Sequence, residues 1–257
     1  MISPHPLAVT AAVALLAVAT GSIPADEPGA DQKARIIALR RIGGAVFERD
    51  GTVVEVNLNG TAAKDESLDN LAGFGALTDL SLERTEIGDD GLRRLVGLKR
   101  LVWLNLYRTR VTDAGLAHLA GLKRLEHLPM GQTRVTDAGL AHLVSLRRLS
   151  YLGLRGDRIT DVGLRHVGKL TSLTSLHLGH TEVTDRGLAD LKPLSRLKIL
   201  WLDDTRVTDA AIPALAGFAS IEELHICRVG LTVAGVQRLR KLRPGCRIFY
   251  RSEREPE

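Results

Sequence analysis

Apolar residues recur along the chain with a period of 24 residues. Leu101, Leu104 and Leu106 occupy positions 1, 4 and 6 of one unit, and the same register runs from residue 53 to residue 250 without an insertion. It contains nine units, the last of which keeps Ile248 and Tyr250 at positions 4 and 6. Apolar residues that alternate with variable ones are typical of a β-strand. Each unit is therefore predicted to contribute one strand.

The second half of each unit has a different spacing. Apolar residues at positions 16, 19 and 22, as in Leu116, Leu119 and Leu122, predict an α-helix or 3₁₀ turn with one buried side. Thr-Asp at positions 12 and 13 is expected to cap this helix, because a side-chain oxygen there accepts from free amides of the first turn. The Thr at position 9 is expected to point inward and to satisfy the backbone at the bend. One unit cannot bury its apolar residues alone, so neighbouring units must stack.

The residues LxxLxLxxTxVTDAGL, complete in the unit that starts at Leu101, resemble the leucine-rich repeat and in particular bacterial repeats that carry VTDAGL. These are similar in turn to the repeats of F-box-associated and ribonuclease-inhibitor-like proteins. The resemblance covers residues 53–250. It implies an α/β fold, namely a right-handed horseshoe solenoid with a parallel β-sheet on the concave side and short helices on the convex side. Thr replaces the usual Asn or Cys at position 9.

The chain around the repeats divides into shorter segments. Gln32–Ile42 predicts a helix, and Asp50-Gly51 between two β-prone runs predicts a hairpin. The predicted boundaries are a linker at 26–31, an N-terminal cap at 32–52, the repeat array at 53–250 and a C-terminal tail at 251–257.

Residues 1–25 contain no Lys, Arg, Asp or Glu, and Leu7–Ala19 is a nearly unbroken apolar run. Such a run is typical of a secretory signal peptide, so we expect export to the periplasm or the extracellular space. Because no Lys or Arg precedes the run, the alternative is a protein anchored to the membrane through an uncleaved N-terminus.

Strand alternation places positions 3, 5 and 7 of each unit on the concave surface. Five of the nine aromatic residues, including both tryptophans, occupy these positions. Tyr and Trp are enriched at binding hot spots, whereas the alternative is that they only shield the sheet. The predicted partner-binding residues are Trp103, Tyr107, His127, Tyr151, His177, Trp201, His225 and Phe249.

Small residues in the middle of this surface predict a shallow floor. The floor residues are Pro129, Gly131, Gly153 and Gly179. The expected walls are Trp103 and Tyr107 on one side, and His177 and Trp201 on the other.

The charge is unevenly distributed along the chain. The net charge of the chain is +5. Residues 26–90 carry 7 basic and 14 acidic side chains, whereas residues 91–257 carry 28 basic and 16 acidic side chains. Basic residues recur in phase, so they form rows along the rims of the sheet. The row at position 10 consists of Arg110, Arg134, Arg158 and Arg206. Such a row is either a solvated edge or a strip that binds an acidic protein, an anionic polysaccharide or lipid headgroups.

Motifs of known catalytic chemistry are absent from the sequence: it contains no phosphate-binding loop, nucleophile elbow or zinc-protease motif. We therefore predict neither an enzyme nor a cofactor. His177 and His225 are two strands apart, about 9.6 Å, which is too far for one metal ion. Cys227 and Cys246 are expected about 16 Å apart along the strand direction, beyond the reach of a disulfide, so we expect two free thiols.

Together these patterns predict a monomeric, non-catalytic module that binds a protein or peptide on its concave face. The alternative is binding of an anionic polymer or acidic partner by the basic rims, which added salt would weaken steeply. Specific nucleic-acid binding is not expected. An enzyme assembled across several repeats and a purely structural spacer are further alternatives, but a spacer would leave the aromatic clustering unexplained.

Overall fold

A computed structural model describes residues 28–252, with side chains from residue 31 onward. The predicted signal peptide, residues 1–25, lies outside the described residues. Of the predicted tail, only residues 251 and 252 are described.

Ten strands form one open sheet, and their order in the sheet is their order in the chain. The first two strands pair antiparallel, and every later neighbour pairs parallel. The strands are β1 (Ala45–Arg49), β2 (Thr52–Asn57), β3 (Asp79–Ser81), β4 (Trp103–Asn105), β5 (His127–Pro129), β6 (Tyr151–Gly153), β7 (Ser175–His177), β8 (Ile199–Trp201), β9 (Glu223–His225) and β10 (Arg247–Phe249).

The strand register reproduces the 24-residue period of the sequence. From β3 onward each strand consists of positions 3 to 5 of its unit, and paired residues such as Leu80 and Leu104 differ by one period. The apolar residues at positions 4 and 6 point inward and are buried in the eight units before the last; in the last unit, Ile248 and Tyr250 are half-buried. The predicted solenoid with one strand per unit is confirmed.

Short helices and 3₁₀ turns form the opposite side of the solenoid. The α-helices are α1 (Pro28–Arg41), α2 (Asp89–Arg94), α3 (Asp113–Leu116), α4 (Asp161–Val167), α5 (Ile212–Gly217) and α6 (Val233–Leu242). The 3₁₀ helices span Asp65–Leu71, Leu95–Gly97, Ala117–Gly121, Gly139–Ser145, Gly187–Leu191 and Asp209–Ala211. Residues at positions 16, 19 and 22 are buried against the sheet, except for the exposed Leu242 in the eighth unit.

The segment before the array is a helix followed by a hairpin. The helix begins at Pro28, four residues before the predicted start, so residues 28–31, which the sequence placed in a linker, are helical. Proline is favourable at the start of a helix because its missing N–H has no intrahelical partner there. Asp50 and Gly51 form the turn of the hairpin, both with positive φ, as a two-residue turn between twisted strands requires.

Five of the six threonines at position 9 donate to the backbone at the bend, as expected, whereas Thr133 donates to Asp157 instead. Thr109 donates its hydroxyl proton to the carbonyl of Leu106 at 2.7 Å, and equivalent bonds occur in four other units. The fifth unit of the array differs because Asp157 occupies this position. Its Oδ1 accepts from both the backbone and the hydroxyl of Thr133, whereas its buried Oδ2 has no hydrogen-bond partner among the described residues.

The Thr-Asp pair at positions 12 and 13 has two separate roles. Thr112, Thr160 and Thr208 cap helices through their side chains, as predicted. The Asp does not cap its own helix but accepts two hydrogen bonds from the Thr at position 12 of the next unit. Asp137 Oδ1 accepts from the Thr160 N–H at 2.8 Å, and Oδ2 accepts from the Thr160 hydroxyl at 2.6 Å. Including this one, six consecutive contacts between neighbouring units have the same pair of hydrogen bonds.

The Gly at position 15 is explained by the same joint. A Cβ on Gly163 would lie 2.4 Å from Asp137 Oδ1, closer than real contacts allow, and equivalent glycines are equally constrained. In the seventh unit Ala211 occupies this position, and there the chain forms a 3₁₀ turn before α5 begins. The conserved spacing of Asp, Thr and Gly along this sequence therefore encodes the contact between neighbouring units.

Candidate functional site

The residues predicted to bind a partner lie on the concave face, in two rows set by the strand register. Trp103, His127 and Tyr151 occupy position 3 of β4, β5 and β6 and are direct neighbours in the sheet. The ring centroids of His127 and Tyr151 are 6.4 Å apart, and the ring planes are inclined by 29°. All three side chains are half-buried. Adjacent aromatic residues in one register position thus form a continuous row across the strands.

A second row at position 5 is a stack of four rings. His177, Trp201, His225 and Phe249 follow one another on β7 to β10, with ring centroids 5.3, 5.2 and 4.4 Å apart. Because each inner ring lies between its neighbours, Trp201 is only 8% exposed, while the outer Phe249 is 43% exposed. The sequence placed these residues on one face, but it did not predict that they would stack on one another.

The two histidines of this stack are uncharged at neutral pH. Burial, followed by the nearby positive charge of Arg155, lowers the pKa of His177 to about 4. Burial also lowers the pKa of His225, and Asp203 and Glu223 oppose that shift. The stack therefore presents ring edges without a formal charge.

A shallow depression of about 220 Å³ lies in the middle of the sheet, where the sequence predicted a floor. Its lining consists of Glu83, Asn105, Tyr107, Pro129, Gly131, Tyr151, Gly153, Arg155 and His177. Gly179, the fourth predicted floor residue, does not line it. Tyr107 and His177 form walls, as expected. Trp103 and Trp201, which were also expected as walls, do not line it, because Trp201 is buried in the ring stack and Trp103 lies in the other row.

The floor of the depression is bare for two different reasons. Gly131 cannot carry a side chain, since a Cβ there would lie 2.5 Å from the carbonyl oxygen of Arg155. Pro129 stands in the interior of a parallel sheet, where its missing N–H removes a ladder bond. Correspondingly, β4 and β5 share a single paired position, Trp103 with His127, whereas the other parallel neighbours share three. Backbone packing and a locally interrupted ladder together produce the hollow.

Opposite charges stand at the two ends of the depression. Glu83 accepts a hydrogen bond from the Asn105 side chain at 3.1 Å, and Arg155 Nη2 lies 2.8 Å from His180 Nε2. Within residues 28–252, neither Glu83 nor Arg155 forms an ion pair with another side chain. Both charges are thus available to a ligand on the concave face.

A larger hollow of about 420 Å³ lies beside the N-terminal hairpin. Glu55 and Asp79, which are direct neighbours on β2 and β3, line it together with Arg49 and Arg100. Burial, and then the charge of Asp79, raises the pKa of Glu55. No aromatic side chain lines this hollow, so we take the mid-sheet depression as the better candidate site.

The four arginines of the predicted basic rim are exposed, but they differ in their pairing. Arg110 pairs with Glu86 at 3.4 Å, and Arg206 pairs with Glu182 at 3.3 Å. Arg134 and Arg158 form no ion pair with any described residue. The uncompensated charge of this row is therefore limited to its middle.

The described part of the chain contains no group of three or more side chains that could hold a metal ion. Cys227 and Cys246 are both free and half-buried, and burial raises the pKa of each thiol. Of the helices between residues 28 and 252, none has the length and apolar character of a membrane span.

Two segments of the chain, residues 77–96 and 169–192, match the sequence model of a leucine-rich repeat family. No curated protein sequence matches the chain.

Three solved structures are similar in fold. Internalin F from Listeria monocytogenes is 23% identical with a TM-score of 0.58; the match covers 73% of this chain and 51% of that one. Internalin C2 from the same species is 21% identical with a TM-score of 0.53, over 78% of this chain and 92% of that one. The ectodomain of the Arabidopsis thaliana receptor kinase GASSHO1/SCHENGEN3, solved with CASPARIAN STRIP INTEGRITY FACTOR 2, is 17% identical with a TM-score of 0.52. The match covers 81% of this chain and 25% of that one.

The chain thus spans about half of internalin F and a quarter of the receptor ectodomain. At these identities the similarity concerns the fold. Combined with the one-strand units and the parallel sheet, it establishes that this chain folds as a leucine-rich repeat solenoid.

Proposed function

We propose that this protein is an exported, non-catalytic module that binds a protein or peptide on the concave face of its solenoid. The observation that carries this proposal is the mid-sheet depression beside the half-buried row of Trp103, His127 and Tyr151. Aromatic side chains around a hollow are typical of binding hot spots. The receptor ectodomain of similar fold, whose structure contains a second protein component, gives a precedent for such binding.

A display library of random 12-residue peptides would test this proposal. Peptides selected on the wild-type protein should bind a Trp103→Ala/Tyr107→Ala variant at least about 30-fold more weakly, because hot-spot truncations cost about 2 kcal/mol or more. Phe47→Ala is the matched control, since Phe47 is 50% exposed on β1, away from the depression. Peptides that bind both variants as they bind the wild type would refute the concave site.

Export is the second part of the proposal, and it rests on the apolar run Leu7–Ala19. In cells that produce the full chain, the mature protein should appear outside the cytoplasm, and its N-terminal sequence should begin near residue 20 or residue 26. A protein recovered with membranes and with Met1 intact would instead indicate an uncleaved anchor. A protein recovered only from the cytosol would contradict export.

Binding of an anionic polymer is the second candidate function. The observation that favours it is that the exposed Arg134 and Arg158 form no ion pair with any residue between 28 and 252. Heparin is a suitable probe. An Arg134→Gln/Arg158→Gln variant should lose affinity for it and show a salt dependence about two units shallower in the log-log slope. An unchanged slope would remove this candidate.

A further inference from the structure

We propose that the mid-sheet depression recognises an extended peptide segment with a basic side chain over β3 and an acidic side chain about four residues away over β6. This inference rests on the proposed binding function and names the chemistry of the partner.

The charges at the two ends of the depression define the first requirement. Glu83 follows β3 and Arg155 follows β6, both at position 7 of their units. Both side chains are half-buried, and neither forms an ion pair with a described residue. The charge of Arg155 acts on Asp204, but that carboxylate is already paired with Arg228. A partly desolvated charge without an ion pair of its own favours a ligand of the opposite sign, since the ligand replaces lost hydration.

The distance between the two charges sets the length of the segment. Three strand spacings of about 4.8 Å separate β3 from β6, which gives about 14 Å. An extended peptide advances about 3.3 Å per residue, so about four residues span the gap. Such a segment runs across the strands, over Tyr107, Gly131 and the ring of Tyr151.

The floor between the charges fits one side chain of the segment. The depression has a volume of about 220 Å³. The bare surface at Pro129, Gly131 and Gly153 lets a peptide backbone approach the sheet, while the Tyr107 and Tyr151 rings flank an apolar or aromatic side chain. A segment with an apolar residue between a basic and an acidic one therefore matches the depression at three points.

Charge exchange tests the inference directly. The same random 12-residue library is selected on the wild type, Glu83→Arg, Arg155→Glu and the double variant. Wild-type selections should enrich a basic and an acidic residue three to five positions apart. The first variant should enrich two acidic residues at that spacing, the second two basic residues, and the double variant mixed pairs again. For one peptide selected on the wild type, each single exchange should weaken binding about two- to fivefold, as partly exposed ion pairs do. The double variant should again bind peptides that carry one basic and one acidic residue.

A second measurement keeps the test valid if a charge-exchange variant does not fold. The acidic residue of a selected peptide is replaced by Lys, and the new peptide should bind the wild type more weakly. The inference would be overturned if peptides selected on the wild type and on the three variants showed the same charge preference. It would also be overturned if replacing the acidic residue of the peptide by Lys left its affinity unchanged.

Filling the depression separates the inference from the proposed function. Pro129→Phe places a ring over the floor and restores a backbone N–H to the sheet, and Pro129→Ala is the matched control. If Pro129→Phe abolishes binding while charge exchange changes nothing, the concave site stands and the charge pattern is wrong. If neither Pro129→Phe nor Trp103→Ala/Tyr107→Ala affects binding, the proposed concave site itself is wrong.

Discussion

The joint between Asp137, Thr160 and Gly163 makes a quantitative prediction about how the repeats hold together. The Asp137 carboxylate accepts two hydrogen bonds from Thr160 of the next unit, at 2.8 and 2.6 Å. Hydrogen bonds to a charged group contribute about 1.5–3 kcal/mol each, and partial exposure reduces that value. Asp137→Ala should therefore lower the free energy of unfolding by about 2–4 kcal/mol.

Gly163→Ala disturbs the same joint from the opposite side. Its new Cβ would lie 2.4 Å from Asp137 Oδ1 and 3.1 Å from Leu140 Cδ1. Overpacking of this kind costs about 1–3 kcal/mol, which exceeds the gain of up to about 1 kcal/mol from replacing a helical glycine. When Asp137 is already Ala, the closest contact is gone. In that background Gly163→Ala should be neutral or stabilising by about 0.5 kcal/mol.

Urea denaturation monitored by circular dichroism measures this coupling in a double-mutant cycle. The two substitutions should be non-additive by at least about 1 kcal/mol. Gly97→Ala is the control, since nothing lies within 4 Å of a Cβ at that position, and it should be additive with Asp137→Ala. Additivity of Asp137→Ala and Gly163→Ala within about 0.5 kcal/mol would refute the joint as we describe it. The slope of the transition shows whether the array still unfolds in one step, because repeat units couple only to their neighbours.

Three further predictions concern single positions. Burial raises the pKa of Asp157 to about 7, above its value in the unfolded chain, so the folded state binds more protons and its stability should fall as pH rises from about 4 to about 7. Asp157→Thr, which restores the residue of most other units, should raise the thermal midpoint at pH 8 and flatten this pH dependence. An unchanged dependence of stability on pH would contradict the raised pKa of Asp157. Trp201→Ala should cost about 3–5 kcal/mol because the side chain is buried in a ring stack, and Trp201→Phe should cost less; equal losses in chemical denaturation would argue against stacking. Arg243 donates to four backbone carbonyls, those of Ala216, Phe218 and Ala219 in the preceding unit and that of Ile221 in its own unit. Arg243→Met should therefore cost about 2 kcal/mol and accelerate hydrogen exchange in α6 and β10 before the rest of the array. Uniform exchange would exclude a local role.

The sequence predicts the repeat architecture because that information is local and periodic. Each unit carries its own strand residues, helix stripe and bend, and the 24-residue spacing brings equivalent positions side by side without any long-range search. For this reason the strand register, the inward Thr at position 9 and the Thr helix caps agree with the structure. The helix α1 was predicted to begin four residues late, since alternation and capping signals are weakest outside the repeats.

The sequence also placed the aromatic residues and the glycine floor on one face, because side chains alternate along a strand. It could not show which of those residues are accessible. That depends on contacts between units: Trp201 is buried between His177 and His225, while Tyr107 remains at the wall of a depression. Consecutive aromatic residues at one repeat position were the available signal for this stacking.

The sequence by itself determined the period, the number of strands and the face on which each side chain lies, since these follow from local spacing repeated along the chain. Only the tertiary structure decided what lies within reach across the stack. It joined Asp137 to Thr160 of the next unit, left one oxygen of Asp157 buried without a partner, and set the charges of Glu83 and Arg155 at opposite ends of one hollow. Such contacts depend on distances of a few ångströms between residues 23 or more positions apart, and these distances exist only once the units have stacked.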